Sequence, residues 1–475
     1  MPAAMSTVYF ESPEPYTSYG LTHFSKKFDI AISTDQLNAD IHISYSCSDN
    51  LNSKVQIILC RNTTEKICDL EVSGEKIPLF ILPQEQSGDQ IIWKIIDGDR
   101  EYPCIFVDDN QIKIGFDIFK QIGKILAGDY DPFFLRTDEL GKTLRRVSVV
   151  DIMEEALFFA INENSPGLLK RFAWPDNHKF ALVLTHDVDR VYKTYQYLPS
   201  IFNSLKQAKL ADLVYHLKNL CFKHGRNNPY WTFDNLIELE KSLGVKSTYY
   251  FLNEKGKHNP FSLQSWILYR GVYDIESLPI KELIKSLSIN GNEIGVHGSY
   301  NSFSNAELMR IEKQTLESIT GSKVKGIRQH YLNYDNHVTP GIQCQSGFEY
   351  DSSIGFKPDI GVGFRRGTSF PFKIMQPDHK ITDLLQIPLI IMDGALDKAT
   401  KIEECYKLVE QVEKYGGVLT ILWHTQRFSS KDYPSMSHIY EGIIKEARGK
   451  GAWIATANEV NEWIKGIPTG HNKHT

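Results

Sequence analysis

From about residue 178 the sequence alternates short apolar runs with helical segments, and run after run stops on a titratable side chain. The first run, Phe180-Ala181-Leu182-Val183, passes into Leu184-Thr185-His186-Asp187-Val188-Asp189. Four consecutive apolar residues suit a strand covered on both faces, the habit of parallel sheets. Glu293-Ile294-Gly295-Val296 leads into His297, and Lys325-Gly326-Ile327 into Arg328. Phe348-Glu349-Tyr350 leads into Asp351, a single strand over 384–392 into Asp393, and the strand 418–423 into His424. Helices are expected at 231–243, stopped by Gly244, and at 278–289, stopped by Gly291. Capping boxes at Ser304/Glu307 and Thr400/Glu403 start two more, and 438–448 is another. This order predicts an α/β fold, a distorted (β/α) barrel of about seven strands. Strand C-termini converge on one face of such a barrel. Asp187, Asp189, His297, Arg328, Asp351 or Asp393, and His424 would then meet, although they are far apart in the chain.

The first 150 residues read differently. Period-two alternation in Asp40-Ile41-His42-Ile43-Ser44-Tyr45 and further short apolar runs predict a β-rich α+β N-terminal domain over 1–150. A helix and linker follow at 151–177, with Pro166 and Pro175, and the barrel spans 178–470. The net charge of −5 and scattered basic residues argue against a nucleic-acid partner. Seven widely spaced cysteines with no C-x-x-C pair fit reduced thiols better than a zinc ribbon. The polar segment 1–19 lacks the order of a signal peptide, and no stretch is long and apolar enough for a membrane span, so a cytoplasmic protein is expected.

The strand-end motifs carry a resemblance. Residues 178–465 resemble the polysaccharide deacetylase (NodB-like) family of metal-dependent carbohydrate esterases. Thr185-His186-Asp187-Val188-Asp189 looks like its first motif, and Glu293-Ile294-Gly295-Val296-His297 like its second. Arg328-Gln329-His330-Tyr331 looks like its third, and Leu422-Trp423-His424 like its last. Gly244-Val245-Lys246-Ser247-Thr248-Tyr249-Tyr250-Phe251 is similar to its second strand. The resemblance implies a hydrolase of non-peptide C–N bonds that removes acetyl groups from an N-acetylated sugar or glycan precursor. It implies a divalent metal, zinc by expectation, with cobalt or another ion as substitute. Asp187 would be the general base, held by Arg328; Asp189 and His297 would be metal ligands. The backbone N–H near Tyr331 would stabilise the oxyanion, and His424, oriented by Asp393 or Asp351, would protonate the leaving amine.

The chain also departs from that pattern. The family carries His-x-x-x-His, whereas here His297 is followed at the fifth position by Asn301. An amide oxygen is a poor zinc ligand beside imidazole. Three alternatives stand: Asn301 ligates weakly, or His186, His330 or Asp187 completes the site, or the metal is lost and a glycan-binding or scaffold protein remains. Val188 separates the two first-motif carboxylates, so base and ligand could be exchanged. Hydrolysis of a non-sugar cyclic amide is the alternative within enzymes. By themselves, an Asp-x-Asp is often a helix cap and a lone histidine a satisfied core residue.

Overall fold

The computed structural model describes residues 5–466, apart from 12, 46–52, 62–64, 73–74, 81–82, 87–89, 98, 109, 223–224, 257–260, 263–264, 266–267 and 397–401. The expected cap at Thr400 lies outside these residues. The chain divides into two compact units. One comprises Met1–Phe180, Val362–Thr382 and Glu410–Val418; the other Ala181–Gly361, Asp383–Val409 and Leu419–Thr475. No helix among the described residues is long and apolar enough to cross a membrane.

The first unit holds a nine-stranded sheet. Its strands are β1 (Ser6–Phe10), β2 (Ile30–Ile32), β3 (Ile41–Ser44), β4 (Val55–Leu59), β5 (Cys68–Val72), β6 (Glu75–Leu79), β7 (Gln90–Asp97), β8 (Arg100–Asp108) and β9 (Gln111–Ile114). The order is β2-β1-β3-β4-β9-β8-β7-β5-β6. Pairings among β1, β2, β3, β4 and β9 are parallel, while β9 through β6 are joined antiparallel. The sequence did not disclose β1 or the helix Pro15–Lys27 that follows it. That helix is buried around most of its circumference, so no amphipathic stripe marks it. It crosses the helix Ile118–Ala127 at Gly20 and Gly123. A Cβ on either glycine would lie 2.0 Å from a carbonyl oxygen of the other helix, so only hydrogen fits there. Lys27 is buried and paired with Asp151 Oδ1 at 2.7 Å and Glu154 Oε2 at 3.1 Å.

In chain order the remaining strands are β10 (Phe180–Val188), β11 (Thr248–Leu252), β12 (Glu293–Gly298), β13 (Gly326–Gln329), β14 (Tyr350–Asp351), β15 (Phe372–Met375, within the first unit), β16 (Ile381–Gln386), β17 (Ile391–Met392), β18 (Val418–Leu422) and β19 (Ala452–Ala455). In the second unit they form a curled sheet ordered β16-β14-β13-β12-β11-β10-β18-β17, with β19 beside β10. The pairings of β10 through β14, of β14 with β16 and of β17 with β18 are parallel. Every residue of β10, β11 and β18 is buried, as the apolar runs require.

Two local expectations are corrected. The strand expected at 384–392 is two strands, β16 and β17. Pro388, with no N–H to donate, sits between them. There the chain shifts partners: the Leu389 N–H donates to Ile354 O, and the Ile390 N–H to Thr420 O, each at 3.1 Å. The capping box at Ser304/Glu307 is replaced by Asn305, whose side chain accepts from the Leu308 N–H at the start of helix Ala306–Thr320. Asparagine caps at least as well as serine.

The same helix carries Glu312, which is 1% exposed. Its Oε2 accepts the Ser299 N–H at 3.2 Å, while Oε1 has no hydrogen-bond partner. Burial pushes its carboxyl up to about 8 from 4.5. The folded state therefore holds a proton that the unfolded chain gives up. This stabilisation is complete below pH 4.5 and is lost as pH rises through about 8. Each pKa unit corresponds to about 1.4 kcal/mol. The metal-free wild type is expected to lose melting temperature between these limits. Glu312→Gln is expected to flatten that dependence; parallel slopes in scanning calorimetry would contradict it.

Candidate active site

The parallel strands of the second unit deliver their C-terminal residues to one end of the sheet. Asp187 and Asp189 leave β10, His297 lies in β12 and Arg328 in β13. His330 and Tyr331 lie in the 3-10 turn after β13, Asp393 follows β17, and His424 follows β18. Neighbouring strand ends thus supply chemistry that the sequence scatters over more than two hundred positions.

Arg328 is wholly buried. Its Nη1 donates to Asp187 Oδ1 at 3.0 Å and to Thr185 Oγ1 at 2.7 Å. Its Nε and Nη2 donate to Ser352 O and Oγ, both at 2.9 Å. The guanidinium also lies 4.6 Å from the centroid of the Tyr250 ring. A buried guanidinium so held keeps the Asp187 carboxylate oriented. Thr185 belongs to the first motif, whereas Ser352 carries no distinctive pattern in the sequence.

Asp189 stands among three imidazoles. Its Oδ1 is 3.0 Å from His297 Nε2 and 3.8 Å from His330 Nε2, and its Oδ2 is 3.4 Å from His424 Nε2. His297 Nδ1 faces the Arg328 carbonyl at 2.9 Å, so Nδ1 carries the hydrogen and Nε2 points a lone pair into the cluster. Asp189 Oδ1 is buried beside these rings. A carboxylate oxygen and a ring nitrogen 3.0 Å apart in a buried site are held together by a proton or a cation between them. Asp189, His297 and His330 each offer one ligand atom, all within 4.8 Å of one another. One carboxylate and two imidazoles are a donor set that suits zinc with an open coordination position, so these residues fit a divalent cation.

Electrostatics agree. Burial opposes the Asp189 carboxylate, yet the hydrogen-bonding His297 and His424 rings hold it well below the usual range. Burial also opposes charge on His297, but the Asp187 and Asp189 carboxylates raise its pKa. Without a cation, a proton on Nε2 is its natural stand-in. Burial pushes His330 down to about 3, which keeps its ring neutral.

Asn301 is exposed, and its amide nitrogen donates to Tyr269 Oη at 3.2 Å. His330, one of the alternatives open in the sequence, occupies the cluster. Its signal there was only that it follows Arg328 by two positions at a strand end.

His424 lies on the other side of Asp189. Its Nδ1 donates to Asp393 Oδ1 at 2.8 Å, and its backbone N–H to Asp393 Oδ2 at 2.6 Å. Burial opposes charge here too, but Asp393 and Asp189 raise the His424 pKa well above 6.5, so the ring is an imidazolium at neutral pH. Asp351 is engaged with Gln343 Nε2 at 2.8 Å and with the Ser353 N–H at 2.8 Å. Of the two aspartates left open, Asp393 is the one that touches His424. His186 points away from the cluster: its Nδ1 faces Trp423 O at 2.8 Å and its Nε2 faces Glu240 Oε1 at 2.9 Å. Tyr331 (φ 58°) and Leu332 (φ 49°) both adopt the left-handed region, turning the backbone directly after His330. Two such non-glycine residues in succession cost roughly 1–2 kcal/mol each, a strain that clusters at functional sites.

No protein-family model and no curated protein matches the chain. Solved structures to which it is similar include a putative polysaccharide deacetylase from Mycobacterium smegmatis, at 17% identity over 62% of this chain and 93% of that one, with a TM-score of 0.40. Another is the catalytic domain of a peptidoglycan N-acetylglucosamine deacetylase from Eubacterium rectale, at 10% identity over 60% and 90%, TM-score 0.30. A CE4 family pseudoenzyme from Bacillus anthracis is similar at 12% identity over 60% and 66%, TM-score 0.30. At that distance the chemistry rests on this chain's own side chains.

Proposed function

We propose that this chain is a divalent-metal-dependent hydrolase that removes the acetyl group from an N-acetylated sugar or glycan precursor. One observation carries the reading. Asp189 Oδ1 faces two imidazole nitrogens, at 3.0 and 3.8 Å, between an arginine-held carboxylate and a carboxylate-backed imidazolium. Asp189, His297 and His330 would hold the cation. When bound, such an ion lowers the pKa of water to roughly 7 and polarises an acyl oxygen.

The remaining work belongs to the protein. Asp187 takes a proton from the attacking water, with Arg328 keeping its carboxylate aimed. The backbone N–H near Tyr331 donates to the oxygen on which negative charge develops. Such a donor is typically worth about 2.7–4 kcal/mol. An amine leaves poorly as an anion, so it must be protonated as the C–N bond breaks. His424 Nε2 carries that proton, and Asp393 fixes the ring and stabilises its charge.

Two measurements test the reading together. The purified protein is expected to hold about one equivalent of zinc or cobalt after reconstitution, and to release acetate from N-acetylated sugars. Uptake below about a tenth of an equivalent would favour a binding protein instead. His424→Ala is expected to slow amide hydrolysis by about 10²–10⁴ and to affect an activated ester much less, because an ester leaving group needs little protonation. Equal losses on both substrates would remove His424 from this role.

A further inference from the structure

The loop after Asp189 leads into a helical hairpin, Tyr197–Lys206 and Leu210–Phe222, whose two helices pack together. Its polarity is inverted. The buried positions are Tyr197, Ser204, His216 and Asn219. The outward positions are Leu198, Phe202 and Leu205 on the first helix and Leu210, Val214 and Leu217 on the second. Each trio is spaced i, i+4, i+7, so each forms one stripe along its helix. All six side chains are 45–72% exposed. A soluble surface helix buries its apolar stripe; this hairpin buries polar groups and presents the stripes outward. Isolated exposed leucines need no explanation, but two aligned stripes on paired helices do.

Charge narrows what covers them. Residues 194–230 contain five basic side chains (Lys206, Lys209, Lys218, Lys223 and Arg226) and one acidic one, Asp212, in a chain of net charge −5. Asp212 is paired with Lys431 at 2.6 Å and Arg226 with Glu282 at 2.7 Å, which leaves the lysines as the excess charge. Lys206 and Lys209 flank the turn between the helices, and both are exposed, as is Lys218. A second copy would set this basic face against itself. An apolar stripe bordered by lysines, with aliphatic stems that lie along apolar surface and ammonium groups that reach outward, matches the boundary between acyl chains and anionic headgroups. Beside the hairpin, Leu198 and Leu220 share a cleft of about 530 Å³ with Lys193, Tyr195 and Arg270.

We infer that the hairpin 197–222 docks this protein on an anionic lipid surface. The helices lie in the interface and do not span it. The surface is distinct from the catalytic cluster, so its test needs no turnover.

The test is cosedimentation of the full chain with vesicles of phosphatidylglycerol and phosphatidylcholine, against vesicles of phosphatidylcholine alone. Wild type is expected to pellet with the anionic vesicles and to be released by salt. Phe202→Ser with Val214→Ser is expected to lower the partition coefficient at least about ten-fold. Lys206→Glu with Lys209→Glu is expected to do the same. All four positions are exposed, and near-UV circular dichroism and melting temperature are expected to match wild type. Three results would overturn the inference. Wild type could stay in the supernatant with anionic vesicles. Its binding could be unaffected by both pairs of substitutions. Or it could self-associate in analytical ultracentrifugation while Phe202→Ser with Val214→Ser disperses it, which would assign the face to a second copy.

Discussion

Asp187→Asn is expected to reduce acetate release by about 10³-fold or more while leaving the metal in place. The loss is that of a general base, typically about 10²–10⁴ in rate, together with the alignment that the base gives to water. Asparagine keeps the shape and can still accept from Arg328, so the strand end is preserved. The substitution also removes the negative charge beside a wholly buried guanidinium. Leaving such a charge without its partner costs about 3–5 kcal/mol in comparable cases. A lowered melting temperature is therefore part of the expected result, and rates should be taken well below it. Metal content decides the assignment. Asp187 Oδ2 stands 3.7 Å from His297 Nε2, whereas Asp189 Oδ1 stands 3.0 Å away. Loss of metal together with activity would exchange the roles of the two aspartates.

The second expectation separates His330 from Asn301. His330→Ala should weaken zinc binding about 100-fold or more, since even partners that only orient a ligand contribute 10–100-fold. Asn301→Ala should change it less than about two-fold, because that amide is exposed and engaged with Tyr269. Competition with a chelating dye reads both. Equal losses would place the amide oxygen on the metal. The His330 ring, held neutral by burial, keeps its lone pair across the working pH range. Proton competition for the site then falls on His297, whose pKa is raised. Zinc affinity should accordingly fall as pH is lowered.

What could be read from the sequence follows from how each feature is encoded. Strands β10, β12 and β18 announce themselves as apolar runs, and their terminal Asp187, His297 and His424 are visible because a charged residue ends each run. Gly244 stops a helix where the left-handed backbone (φ 63°) needs it. Asn301 drew attention because it sits at a spacing where an imidazole was expected. His330 reaches the cluster through a left-handed turn at Tyr331 and Leu332, and no side-chain pattern encodes that turn. Asp351 and Asp393 end equivalent strands and look alike in sequence. They part only because the chain changes neighbours around Pro388, which seats Asp393 beside His424. The helix Pro15–Lys27 is buried nearly all round, so it lacks the half-polar face that would reveal an amphipathic element.

In chain order, the three side chains that would grip a cation come from the residue just after the first strand of the curled sheet, from its third strand, and from the turn after its fourth. Asp189 and His297 are over a hundred positions apart, so closing that loop is a cost borne by folding, and no short peptide cut from this chain can bind with the same strength. A cation seated there favours only molecules in which every one of those strands has found its neighbour. Occupancy of the site is thus a readout of completed assembly, and saturating zinc should protect the slowest-exchanging amides of β10, β12 and β13 together rather than one strand at a time.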